Sequence, residues 1–122
     1  MDSPEPDLPV SHSFRAPVVP EAEAWARAYA GALAAAARID PDTADDLRLA
    51  VSELMHVIIG AATDEVRIEA SFGDRLVLSV GPWPRSRDQV DDLDPWDIVS
   101  ALFDDVEVRD GHVRLAIALP PP

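Results

Sequence analysis

The chain has 122 residues and a formal net charge of -13, with 23 Asp and Glu against 10 basic residues, all of them arginine. That length suits one domain with a single modest core, and the acid excess disfavours phosphate backbones as partners, because their affinity comes from Lys and Arg. The absence of cysteine excludes disulfides and thiolate chemistry, and the absence of lysine excludes a lysine phosphate loop or a Schiff base.

Residues 1–10 begin Met1-Asp2-Ser3-Pro4-Glu5-Pro6-Asp7 and read as a disordered acidic tail, unlike a secretory signal. No apolar run approaches the ~20 residues of a membrane span. A cytoplasmic protein that binds neither membrane nor nucleic acid is therefore expected. The Ala and Arg bias suits a bacterial genome rich in G and C. Residues 11–120 read as one domain.

Its first element is a weakly alternating strand, His12 to Val18, suited to a sheet edge by Pro17. Pro20 then opens a helix, with Glu21 and Glu23 at its positive end. Trp25, Tyr29, Leu33 and Ala36 recur at helical spacing and predict its buried stripe, ending near Arg38. Asp40-Pro41 starts a second helix by N-cap and N1 proline. Leu47, Ala50, Val51, Leu54, Ile58 and Ala62 form its apolar stripe. Arg48, Ser52, His56 and Gly60 form a thinner and less apolar one, with Glu53 beside it.

The period then becomes two. Val66, Ile68 and Ala70 alternate with Arg67 and Glu69, Gly73-Asp74 turns the chain, and Leu76, Leu78 and Val80 continue. Gly81 to Leu93 reads as a loop. Asp94-Pro95 starts a short third helix. Val106 and Val108 lead into the turn Asp110-Gly111, and Val113, Leu115 and Ile117 lead out. This order predicts an α+β fold: a two-layer sandwich with a largely antiparallel sheet of about five strands and helices packed on one face.

The candidate chemistry centres on "SELMHVIIG", where Glu53 and His56 lie three residues apart. Two ligands are too few for a metal site, and an acid–base pair would need an orienting group and a nucleophile. A solvent-facing i,i+3 pair is the simpler expectation. The loop acids Asp91, Asp92 and Asp94 lack the spaced oxygens and glycine of a calcium loop. His12 and His112 read as surface residues, and Trp25 and Trp96 as core. Trp83, between two prolines, is either a partner contact or a ring folded back on the core.

Three passages resemble the histidine-kinase-like (GHKL) ATPases, in the branch of bacterial anti-sigma factors that are serine kinases. "ADDLRLAVSELMHVIIGA" is similar to that family's E-x-x-x-N helix, "DRLVLSVGPWP" to the strand entering its Asp-x-Gly loop, and "DPWDIVSALFDDVEVRDGHVRLAIALP" to its last helix and hairpin. The resemblance implies that Glu53 stands at the catalytic base and Val57 at the magnesium-binding asparagine. Val80 and Gly81 lie in a motif whose aspartate is gone, and Trp96 stands near the lost phosphate glycines. Valine cannot coordinate magnesium, and phosphoryl transfer depends on metal and phosphate positioning. His56, between these positions, completes a degenerate pocket with a vestigial base. The resemblance thus implies a regulator that uses no cofactor and binds a protein: a sigma factor, an anti-sigma antagonist domain, or a second copy of itself. The alternative is a divergent serine kinase using ATP and magnesium, with Glu53 as base.

Overall fold

The computed structural model describes residues 10–61, 64–84 and 95–120. Its elements run β1 (Val10–Pro17), α1 (Ala22–Ala36), α2 (Pro41–Ile59), β2 (Glu65–Phe72), β3 (Arg75–Gly81), α3 (Pro95–Leu102), β4 (Val106–Arg109) and β5 (His112–Ala118). The expectations for the acidic tail, for Ala62 and for most of the loop before α3 lie outside the described residues.

Alternation of apolar and polar side chains builds the sheet. Five antiparallel strands take the order β1-β2-β3-β5-β4. One residue in two along each strand points at the helices: Val66, Ile68, Leu76, Leu78, Val80, Val113 and Leu115 are all fully buried there. Their neighbours are mostly polar, Val77 and Ala116 excepted, and form an open face. The fold is α+β, as the element order predicts. β1 is an edge strand, and Pro17 closes it where a missing N–H costs least. Asp110 and Gly111 both have positive φ, 52° and 74°, which makes the two-residue β4–β5 connection a type I′ turn.

The helical layer starts from a tight α1–α2 connection. Arg38 adopts φ 57°, Arg38 N–H bonds Ala35 O at 3.2 Å and Ile39 N–H bonds Ala34 O at 3.0 Å. This is a Schellman ending with arginine in the place that glycine usually takes. Asp40 then caps α2: its carboxylate accepts from Thr43 N at 3.1 Å and Thr43 Oγ1 at 2.7 Å. Those bonds hold its carboxyl below the usual aspartate value. The apolar stripe of α2 is buried as expected, from Leu47 to Ile58.

α1 differs from its sequence reading. Its buried residues are Ala22, Ala26, Ala30, Leu33 and Ala34, whereas Ala36 is exposed and Trp25 is 47 % exposed. Apart from Leu33, which is buried as expected, the helix has turned methyl groups toward the core. Small residues let its axis approach its neighbours closely, and the bulky Trp25 is left outside. Tyr29 is half-buried, stacked on Phe14 and His12 of β1 with centroids 5.2 and 5.5 Å away. His12 is therefore not an isolated surface histidine; its Nδ1 lies 2.8 Å from Tyr29 Oη.

Candidate functional site

α1 and α2 form an antiparallel hairpin, so the start of α1 meets the end of α2. Three polar side chains converge there. Ser52 Oγ donates to Glu23 Oε1 at 2.6 Å, and His56 Nε2 lies 2.7 Å from Glu23 Oε2. Ser52 is buried, the Glu23 side chain is 22 % exposed, and that of His56 is largely open. The Ser52 hydrogen bond is the main cause that holds the Glu23 carboxyl below the ordinary glutamate range. Desolvation opposes it, and the nearby His56 adds to it.

The expected Glu53–His56 pair does not form. His56 leans toward α1 and takes Glu23, because Ser52 and His56 lie one turn apart on the flank that faces α1. Glu53 is half-buried and has neither hydrogen bond nor ion pair among the described residues. The Glu23 group is also not a nucleophile triad. Ser52 donates to the carboxylate and not to the imidazole, and that same bond lowers the carboxylate's affinity for a proton, so the hydroxyl is buried against a weak base rather than activated. What the arrangement does is fasten two helices: one carboxylate joins two positions on α2. In the sequence alone Glu23 is explained by the helix dipole, which hides its role in the joint. The antiparallel hairpin was the available signal, since it brings an early acid of α1 opposite a late Ser-x-x-x-His of α2.

Midway along the same seam Arg48 crosses Gly31. A methyl at Gly31 would come 3.0 Å from Arg48 Nε. Arg48 is held by Asp45 at 2.6 Å. Beside this crossing lies an open groove of about 390 Å³ lined by Ala24, Arg27, Ala28, Arg48, Leu49 and Ser52.

The remaining sequence-derived positions fall elsewhere. Val57 is half-buried and packs on the core, and Val80 is fully buried within it. Trp83 has folded back on the core at 7 % exposure, with its N–H bonded to Gly111 O at 2.7 Å, so its ring offers little surface to a partner. Trp96 is half-buried and tilted at 49° against Trp83, with centroids 6.4 Å apart. Gly81 lies on the open side of the sheet under His112: a methyl there would come 2.4 Å from the imidazole. His112 is thus half-buried and packed, contrary to its reading as a lone surface residue. Among the described residues no group of three or more His, Asp or Glu could hold a metal ion, and no helix is long and apolar enough to cross a membrane.

The chain matches no family model and no curated protein.

Proposed function

We propose that this domain is a regulator of the anti-sigma type that works by binding a protein partner, covering it or exchanging it for another, and carries out no nucleotide chemistry. The observation that carries the reading is the state of Val57. It stands at the position of a magnesium-binding asparagine in the resembling family, and here it is half-buried and packs against the core. An apolar side chain there cannot ligate a hard cation. Trp96 adds to this, because its indole, in contact with Trp83, stands near where the resembling family has glycines that admit phosphates. Each helix leaves one large apolar side chain outside, Trp25 on α1, Leu49 on α2 and Ile98 on α3, at 47, 44 and 37 % exposure. Such residues suit a protein contact better than a small-molecule site. The partner class is a sigma factor, an antagonist domain of the anti-sigma system, or a second copy of the chain.

Titration calorimetry with magnesium–ATP at millimolar concentration tests the negative half of this reading: no saturable heat is expected, and a saturable one sinks it. Affinity capture from the native host tests the positive half. An enriched sigma factor or antagonist domain supports the reading, and no reproducible partner overturns it. A serine kinase with Glu53 as base is the second reading. It is favoured by one observation, that Glu53 is a half-buried carboxylate with no protein partner among the described residues.

A further inference from the structure

The open face of the sheet carries a charge pattern that the protein's composition does not foreshadow. Arg15 on β1 is directly opposite Arg67 on β2, and Arg67 is opposite Gly81 on β3. The His112 ring of β5 lies over Gly81, and Arg109 on β4 is opposite His112. Read across all five strands, one transverse row is therefore Arg15, Arg67, Gly81, His112, Arg109, with no carboxylate in it. At the strand spacing of a sheet the row is about 19 Å long. Arg114 on β5, in the neighbouring row, adds a further guanidinium.

The ion pairs of this face are looser than those of Arg48 and Arg75 elsewhere in the molecule, whereas Arg38, like Arg15, has no ion pair among the described residues. Arg48–Asp45 and Arg75–Asp105 are tight pairs at 2.6 Å. The carboxylates near the row are loose: Glu65 and Glu69 lie 3.9 and 3.8 Å from Arg67, and Glu107 lies 3.8 Å from Arg109 and 3.4 Å from Arg114. Arg15 has no carboxylate at all among the described residues. Like charges directly opposite across two strands destabilise a sheet, and Arg15 against Arg67 is offset only by the two long contacts of Arg67 to Glu65 and Glu69. The surface around the row is shallow. A cleft of about 330 Å³ is lined by the cationic Arg67, Arg109 and Arg114, by Ser79 and His112, and by two carboxylates, Glu69 and Asp110; it shares Glu69 and Ser79 with a trough of about 450 Å³ floored by serines and Val77.

We propose that this row is a docking site for an extended acidic segment of a partner protein. Guanidinium groups pair with carboxylates in a planar, two-bonded geometry, and about six residues of extended chain would span the row. The serine-floored trough beside it admits a backbone without displacing large side chains. A nucleic acid fits less well. Glu65, Glu69 and Glu107 flank the row, and the overall charge of -13 repels a phosphate backbone that offers a charge at every step. A short peptide with separated carboxylates can avoid the flanking acids. The site lies on the opposite side of the sheet from the helices, so it stands or falls independently of the anti-sigma reading.

The test uses the full chain and a fluorescein-labelled peptide of alternating glutamate and serine, about twelve residues long, followed by fluorescence anisotropy at low salt. A glutamine–serine peptide and an oligothymidylate of equal length serve as comparisons. The acidic peptide is expected to bind, the glutamine peptide at least about tenfold more weakly, and raising the salt to several hundred millimolar to weaken binding by a similar factor. The double reversal R15E/R67E should remove binding while circular dichroism shows the fold intact. Arg109→Glu, at the far end of the row, gives a second variant should the double reversal unfold the chain. Equal binding of the glutamine peptide, no binding of the acidic one, or an undiminished affinity in folded reversal variants overturns the proposal. So does tighter binding of the oligothymidylate, which would make the row a nucleic-acid site.

Discussion

Leu78 and Ser79 are neighbours on β3, and they belong to two different surfaces. Leu78 is fully buried beneath the helices, whereas Ser79 looks out on the open side between Glu69 and Arg114. The helix-covered face is held by apolar packing from end to end, with Ser52 as the buried polar residue of the whole described chain. The open face holds loose ion pairs, serines and one packed histidine. The difference teaches which face carries the stability and which is free to be used for recognition.

That contrast can be broken or sharpened by substitution. Leu78→Ala should cost about 2–5 kcal/mol, from lost transfer energy plus a cavity, whereas Ser79→Ala should stay within about 0.5 kcal/mol. Urea unfolding followed by circular dichroism measures both, and similar costs for the two would erase the distinction. Glu23→Ala probes the polar joint on the covered side. It strands the buried Ser52 hydroxyl and frees His56, and should cost about 1.5–3 kcal/mol in the same experiment. Gly81→Ala probes the one packed place on the open side. The new methyl meets the His112 ring and should cost about 1 kcal/mol, and most of that should disappear when His112→Ala is added.

The smallest effect is one of pH. The Glu23 carboxyl is held below its ordinary value of 4.5, chiefly by the Ser52 hydroxyl. A group with a depressed folded-state value contributes stability above its ordinary value and loses it as the pH falls through the depressed one. Thermal midpoints of the parent should therefore fall more steeply below pH 4.5 than those of Glu23→Gln. Asp40, depressed by Thr43, keeps its own acid sensitivity in both proteins.

Much of the fold was legible because local signals agreed with one another. Asp40-Pro41 marks the start of α2, Asp110-Gly111 marks a type I′ turn, and strict alternation marks β2 and β3. α1 departs from its apolar pattern because size is a poor guide to burial where helices pack closely. Trp25 outweighs Ala22, Ala26 and Ala30 in any hydrophobic stripe, yet close approach of helices selects the alanines. The site residues were less legible for a different reason. Joining Glu23 to Ser52 needs the register of two helices, and aligning Arg15, Arg67, His112 and Arg109 needs the register of five strands. Neither register is a property of any single segment.

The placing of β1 has a consequence for how the chain assembles and opens. Among the described residues its one strand partner is β2, and Val10 pairs with Phe72 across the entire helical hairpin, whereas β2 and β3 are joined by a turn of two residues. Closing the longer loop loses more chain entropy before any contact rewards it. β1 should therefore join the sheet late in folding and leave it early in native-state fluctuations. Hydrogen–deuterium exchange should show its amides losing protection well before those of β3, and exchange from both strands at one common rate would mean that the molecule opens only as a whole.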